Sequence, residues 1–203
     1  MAESMTPSPL TDGQIDKAVD VYRSILRNHR EELGSEPAQQ VLGQPEFVEE
    51  MVGVLRKRVA AVSNMIVRRV RVDRTRFPRQ ALEATGRRLY VNDSVVETMP
   101  GRGTGAEDVD VISFKLNRFV SDPDLEKEYE SRGLKPTDPY ALAAVNEADP
   151  TFADEHPNGT HWKDKDGRWC FAAFDRWLVG RDVFVSRDGG GWGDYWSFAG
   201  VRK

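Results

Sequence analysis

Apolar residues first recur along the chain at helical spacing. Ile15, Ala18, Val19, Tyr22, Ile25, Leu26, His29 and Leu33 fall every three or four residues, which lays one stripe along a helix. Thr11-Asp-Gly-Gln14 ahead of them is a capping box, in which the threonine oxygen accepts a free backbone N–H and the glutamine reaches back. Gly34 suits the left-handed position just past the C-terminus. A loop holding Pro37 and Gly43 follows, and Pro45 opens a second helix striped by Phe47, Val48, Met51, Val52, Leu55, Val59, Val62 and Ile66. Two such helices are expected to pack as an antiparallel hairpin, or to lend their stripes to a partner chain in a homo-oligomer.

Beyond Met65 the period falls to two. Val67 to Asp73 reads as a strand, with Val70 and Val72 facing one way. Pro78 to Thr85 is a short helix closed by Gly86, and Asn92 or Asp93 caps another from Ser94 to Met99, stopped by Pro100. Gly101 to Gly105 is a glycine-rich loop, and Val109 to Leu116 alternates as a strand. Asp122-Pro123 and Asp138-Pro139 open helices over Leu125 to Arg132 and Tyr140 to Glu147. Thr151 to Gly167 is polar and irregular. Trp169 to Trp177, Asp182 to Arg187 and Tyr195 to Arg202 read as strands, the last two joined through Gly189-Gly-Gly191.

Composition narrows the function classes. The 203 residues, 39% hydrophobic and 31% charged, can bury a core. No apolar run is long enough to span a membrane. The first residues carry no secretory signal, which points by default to the cytoplasm or a virion. The single cysteine, Cys170, excludes an internal disulfide framework. His156, His161 and Cys170 fit no metal-ligand spacing, and Asp164-Lys-Asp166-Gly167 lacks the remaining ligands of a calcium loop. Neither a phosphate-binding glycine motif nor a Ser-His-acid arrangement stands out, so binding without a cofactor or metal is expected, rather than catalysis.

Charge is uneven along the chain. Residues 56–88 carry eleven basic side chains against Asp73 and Glu83, about +9, within a net charge of -4. Arg68, Arg69 and Arg71 are therefore candidate phosphate contacts for a nucleic acid. The other readings are a strand edge guarded by arginine, or ion pairs with the acidic remainder of the protein.

All five tryptophans lie in the last 42 residues. There, framework residues (Val183, Val185, Trp192, Trp196, Phe198, Val201) alternate with positions of mixed charge, glycine and bulk. Alternation sends the two sets to opposite faces of a strand. The second set, Asp182, Phe184, Ser186, Asp188, Gly189, Gly191, Gly193, Asp194, Tyr195 and Ser197, together with Asp175 and Val179, is the candidate ligand-binding surface. Aromatic anchors among small and polar residues are also the chemistry of antibody paratopes.

The element order from Val109 onward (strand, helix, helix, loop, three strands) is shared by several α+β domains, among them the C-type-lectin-like module. The ending Trp-Ser-Phe-Ala-Gly-Val-Arg-Lys, preceded by Asp166 to Trp177 (Asp-Gly-Arg-Trp-Cys-Phe-Ala-Ala-Phe-Asp-Arg-Trp), resembles the C-terminal region of target proteins of diversity-generating retroelements. The resemblance spans roughly residues 67 to 203. In that family a reverse transcriptase copies a template repeat with errors opposite adenines, and the altered copy replaces the 3′ end of the target gene. The resemblance implies a C-type-lectin-like fold that displays variable residues, here within about 170–203, to an unknown protein or cell-surface ligand. The chain departs from the family in a shorter module without a secretion or lipid-anchoring signal. The expected whole is an α+β protein. An N-terminal helical pair (1–66), for oligomerisation or attachment, leads into a C-type-lectin-like domain (67–203) with short antiparallel strands and two flanking helices.

Overall fold

The structure, a computed structural model, describes residues 10–63, 65–177, 180–187 and 190–203. It forms two compact units whose boundary lies between Leu55 and Arg56, inside the second predicted helix rather than after it.

The first unit is helical. Helix α1 (Asp12–Asn28) starts on the expected capping box: the Gln14 N–H donates to Thr11 Oγ1 at 3.3 Å, and the Thr11 N–H to Gln14 Oε1 at 2.9 Å. It ends at His29, short of Gly34. Gly34 instead precedes α2 (Ser35–Leu42), where a loop was expected. Pro37 is compatible with helix there, because the first turn has no partners for its N–H groups. Helix α3 (Pro45–Ser63) follows. No described side chain of residues 10–55 is buried. Ile15, Val19, Ile25, Val48, Val52 and Leu55 stand exposed, so the stripes are not spent on a hairpin core.

The second unit is built on β1 (Met65–Asp73), α4 (Pro78–Glu83), β2 (Arg88–Val91), α5 (Asp93–Val96), β3 (Ala106–Lys115), α6 (Asp122–Ser131), β4 (Leu134–Pro136), α7 (Pro139–Ala148), α8 (Phe152–Glu155), β5 (Asn158–Lys163), β6 (Trp169–Trp177), β7 (Gly180–Arg187) and β8 (Ser197–Arg202). Among the described residues the strands form one open mixed sheet in the order β1-β3-β8-β5-β6-β7-β2, with β4 also on β8. Pairs β5/β8 and β2/β7 are parallel, the others antiparallel. The last strand returns beside β3, as the element order suggested.

Registers divide the side chains into two faces. One carries Val70, Val72, Val111, Ala172, Phe174, Val183, Val185 and Ala199, all buried with α7 and with Leu82, Val95 and Val96 of α4 and α5. The other carries Ile112, Phe114 and Phe198 beneath Leu125 and Tyr129 of α6 and beneath Trp192 and Trp196. The Tyr129 hydroxyl donates to the Ala199 carbonyl at 2.9 Å, tying α6 to β8.

Two expectations of this unit need correction: its strands are not all antiparallel, since β2/β7 and β5/β8 pair in parallel, and its polar segment is ordered. The segment Thr151–Gly167 is not irregular: it holds α8 and the interior strand β5. Asn-Gly-Thr-His-Trp-Lys lacks an apolar period, yet its first five residues are buried. The Asn158 and Thr160 side chains find partners instead. Asn146 Nδ2 donates to Asn158 Oδ1 at 2.9 Å, and Thr160 Oγ1 donates to the Thr137 carbonyl at 2.5 Å. Asp164, read as part of an incomplete calcium loop, faces inward at the β5–β6 turn. Arg187 Nε and the N–H groups of Asp166 and Arg168 donate to it.

Candidate ligand-binding face

Three strands at one side of the sheet, β6, β7 and β2, leave a face that no described helix of the second unit covers. Register assembles it in rows: Phe171 opposite Ser186; Ala173, Phe184 and Tyr90; Asp175, Asp182 and Arg88; Trp177 and Gly180. The residues between them, Val183 and Val185, are fully buried on the other side. One strand thus serves two purposes, because successive side chains point to opposite faces.

Aromatic rings dominate the face. Tyr90 and Phe184 stack with centroids 5.3 Å apart and planes 17° apart. Tyr90 is 53% exposed, Trp177 62%, and Phe184 is half-buried. Phe171 meets Trp192 edge-on at 5.1 Å, and Trp192 in turn donates its indole N–H to buried Asp122 at 2.9 Å. Trp192 therefore fastens the loop before β8 to one end of the face. Tyr195 projects from that loop, 55% exposed and tilted against Trp196. Ser186, Gly193 and Asp194 also reach the surface.

Other candidate positions behave differently. Asp182 is buried, not displayed: Arg88 Nε and Nη2 bond its two oxygens at 2.7 and 3.0 Å, and the guanidinium covers it. Gly180 makes room for that, since a Cβ there would lie 1.8 Å from Arg88 Nη2. Ser197 is buried as well, because it pairs with Asn158 and Lys115 and sits on the α7 side of β8. Gly191 has φ +122°, and a Cβ would fall 2.3 Å from the Phe119 ring and 3.0 Å from the Val120 carbonyl, so it cannot accept arbitrary side chains. Asp175 is half-buried, with one carboxyl oxygen lacking a hydrogen-bond donor among the described residues. Burial pushes its pKa up, and Asp182 across the strand adds to that. Val179, Asp188 and Gly189 lie outside the described residues.

Tyr90 and Arg88 were not foreseen as part of this face. The alternation Arg-Leu-Tyr-Val after Gly86 was the local signal, but it spans only four residues and its partner strand lies far along the chain.

The arginines of residues 56–88 mostly meet carboxylates within the second unit. Arg69 and Arg71 lie 3.7 and 3.4 Å from Asp108, and Arg68 lies 3.9 Å from Asp149. Arg74 pairs with Glu107 and Asp138, Arg76 with Asp73 and Glu147, and Arg79 with Glu83 and Asp93. Arg87 is buried and donates to three oxygens, the carbonyls of Asp175 and Pro150 and the Asn146 side chain.

No known protein family, curated protein or solved structure matches the chain. Among the described residues no helix is long and apolar enough to cross a membrane, and no cluster of three or more His, Cys, Asp or Glu could hold a metal ion. Cys170 is buried, and that burial raises its thiol pKa, so it fits the role of a small core residue.

Proposed function

We propose that the protein binds a macromolecular or cell-surface ligand through the uncovered face of β6, β7 and β2 and the adjoining loop. The observation that carries this reading is the grid of Phe171, Ser186, Phe184, Tyr90 and Trp177 lying opposite a fully packed core. Large aromatics left open together on one side of a sheet mark an interaction surface rather than scattered exposure. The domain is proposed to be C-type-lectin-like, its tail diversified by a retroelement. This rests on the resemblance of the ending and on β8 returning beside β3. The exposed stripes of α1 and α3 are proposed to join copies of the chain, which would multiply weak single-site affinity.

The test is genomic and mechanical together. The proposal expects a reverse-transcriptase gene near this one and a near-copy of its 3′ end that differs only at adenines. It also expects substitutions at Ser186, Asp194 and Tyr195 to leave melting unchanged. Absence of the near-copy removes diversification, and strong destabilisation at those three positions removes the displayed face. Nucleic-acid binding through Arg68, Arg69 and Arg71 has less in its favour, because nearby carboxylates already counter those charges. Retention on heparin that resists high salt, and is lost in the triple alanine variant, would reverse that preference.

A further inference from the structure

Strands β5 and β8 run side by side only at Asn158–Ser197 and Gly159–Phe198. Beyond that point β4 takes the edge of β8, through Leu134–Arg202 to Pro136–Gly200. The last residues of β5 therefore diverge from β8, and a cleft of about 760 Å³ opens between β4 and the end of β5. Divergence beyond the carboxyl ends of parallel strands is a recurrent place for ligands in open sheets, and the volume suits a small molecule.

The chemistry of the walls is selective. Apolar surface comes from Pro100, Val109, Trp162, Trp169 and Val201. The carboxylates are engaged: Glu107 and Asp138 hold Arg74, and Glu126 Oε1 lies 2.7 Å from His161 Nε2. Three other cations, Lys135, Lys163 and Arg202, line the cleft and are exposed, with no ion pair among the described residues. Lys163 rests on the Trp169 ring, its nitrogen 4.6 Å from the centroid. Unpaired cations around an apolar floor are suited to an organic anion.

We propose that this cleft binds a small organic anion: a compact apolar body carrying a carboxylate or phosphate, held by Lys135, Lys163 and Arg202. The site is separate from the aromatic face, and neither reading depends on the other.

The probes are benzoate, phenyl phosphate and uncharged benzyl alcohol, titrated into the full chain and followed by calorimetry and tryptophan fluorescence. Saturable binding of benzoate or phenyl phosphate, and weaker binding of benzyl alcohol, supports the proposal, and the tighter of the two anions identifies the oxyanion. Lys135→Met, Lys163→Met and Arg202→Met, all at exposed side chains, are each expected to weaken the anion about fivefold to tenfold. The proposal is overturned if neither anion saturates at millimolar concentration, if benzyl alcohol binds as well as benzoate, or if the charge-removing variants bind like the parent.

Discussion

Phe198 and Tyr195 stand three residues apart in the same tail, yet their removal should differ several-fold in cost. Phe198 is fully buried, with its ring 4.8 Å from that of Trp192 and 6.5 Å from that of Tyr129. Phe198→Ala leaves a cavity between α6 and the sheet, and should cost about 3–5 kcal/mol. Tyr195 touches mainly Trp196 and is 55% exposed, so Tyr195→Ala should cost under about 1 kcal/mol. Phe184→Ala should fall between them, at about 1–2 kcal/mol, because the ring is half-buried and stacked on Tyr90. A double-mutant cycle of Tyr90 and Phe184 should give a coupling of about 0.5–1.5 kcal/mol for that stack. Urea unfolding followed by tryptophan fluorescence is the appropriate assay, since all five tryptophans belong to the second unit and report on it alone. If Tyr195→Ala proved as damaging as Phe198→Ala, or the cycle gave no coupling, the division between packed framework and displayed face would be refuted.

Gly191→Ala should destabilise the same unit by about 1–3 kcal/mol, from the positive φ and the approach to Phe119, while Gly193→Ala should do so by less; urea unfolding of the two variants checks this. Burial alone would raise the Asp164 carboxyl, but Arg187 and the backbone N–H groups of Arg168 and Asp166 outweigh it and hold it at about 2. The stability it supplies is present above the ordinary value of 3.8 and is lost as pH falls towards 2, so the acid limb of the stability profile should be shallower in Asp164→Asn. Ile25→Glu together with Val52→Glu should reduce the mass measured by light scattering to that of a single chain, with the melting of the second unit unaltered. A monomeric parent would remove the role given to the helices.

The strands whose apolar residues alternate were the easiest to read. Val183 and Val185 mark β7 with its two faces, and Val70 and Val72 do the same for β1. Strand β5 was missed because its interior place is satisfied by hydrogen bonds rather than apolar surface: Asn158 and Thr160 are buried on the strength of Asn146 and Thr137, which no local pattern announces. Asp182 reads as displayed from the sequence for a related reason. An aspartate on an open face is ordinarily solvated, and only the parallel pairing with β2 brings Arg88 over it. The alternation with Trp196 and Phe198 groups Ser197 with Tyr195, on the expectation that their side of the strand lies open. Strand β8 starts at Ser197, and from there parity sends it to the same side as Ala199, towards α7.

These corrections alter what a diversified tail could do. Substitution of Asp182 would strand Arg88, substitution of Ser197 would disturb packing on the α7 side, and Gly191 is held by its own backbone. The described tail positions left to vary at small cost are Ser186, Gly193, Asp194 and Tyr195, with Phe184 at moderate cost. They are few, but they border aromatics outside the candidate variable set: Tyr90 from β2, and Phe171 and Trp177 from β6. If the tail is diversified as proposed, a small variable set beside this aromatic floor would divide recognition in two. The floor provides apolar area that any ligand with an exposed apolar patch can use, and the rim decides which of those ligands is kept. On this arrangement Tyr90→Ala should weaken binding of every ligand in a panel, whereas Tyr195→Ala should reorder the panel.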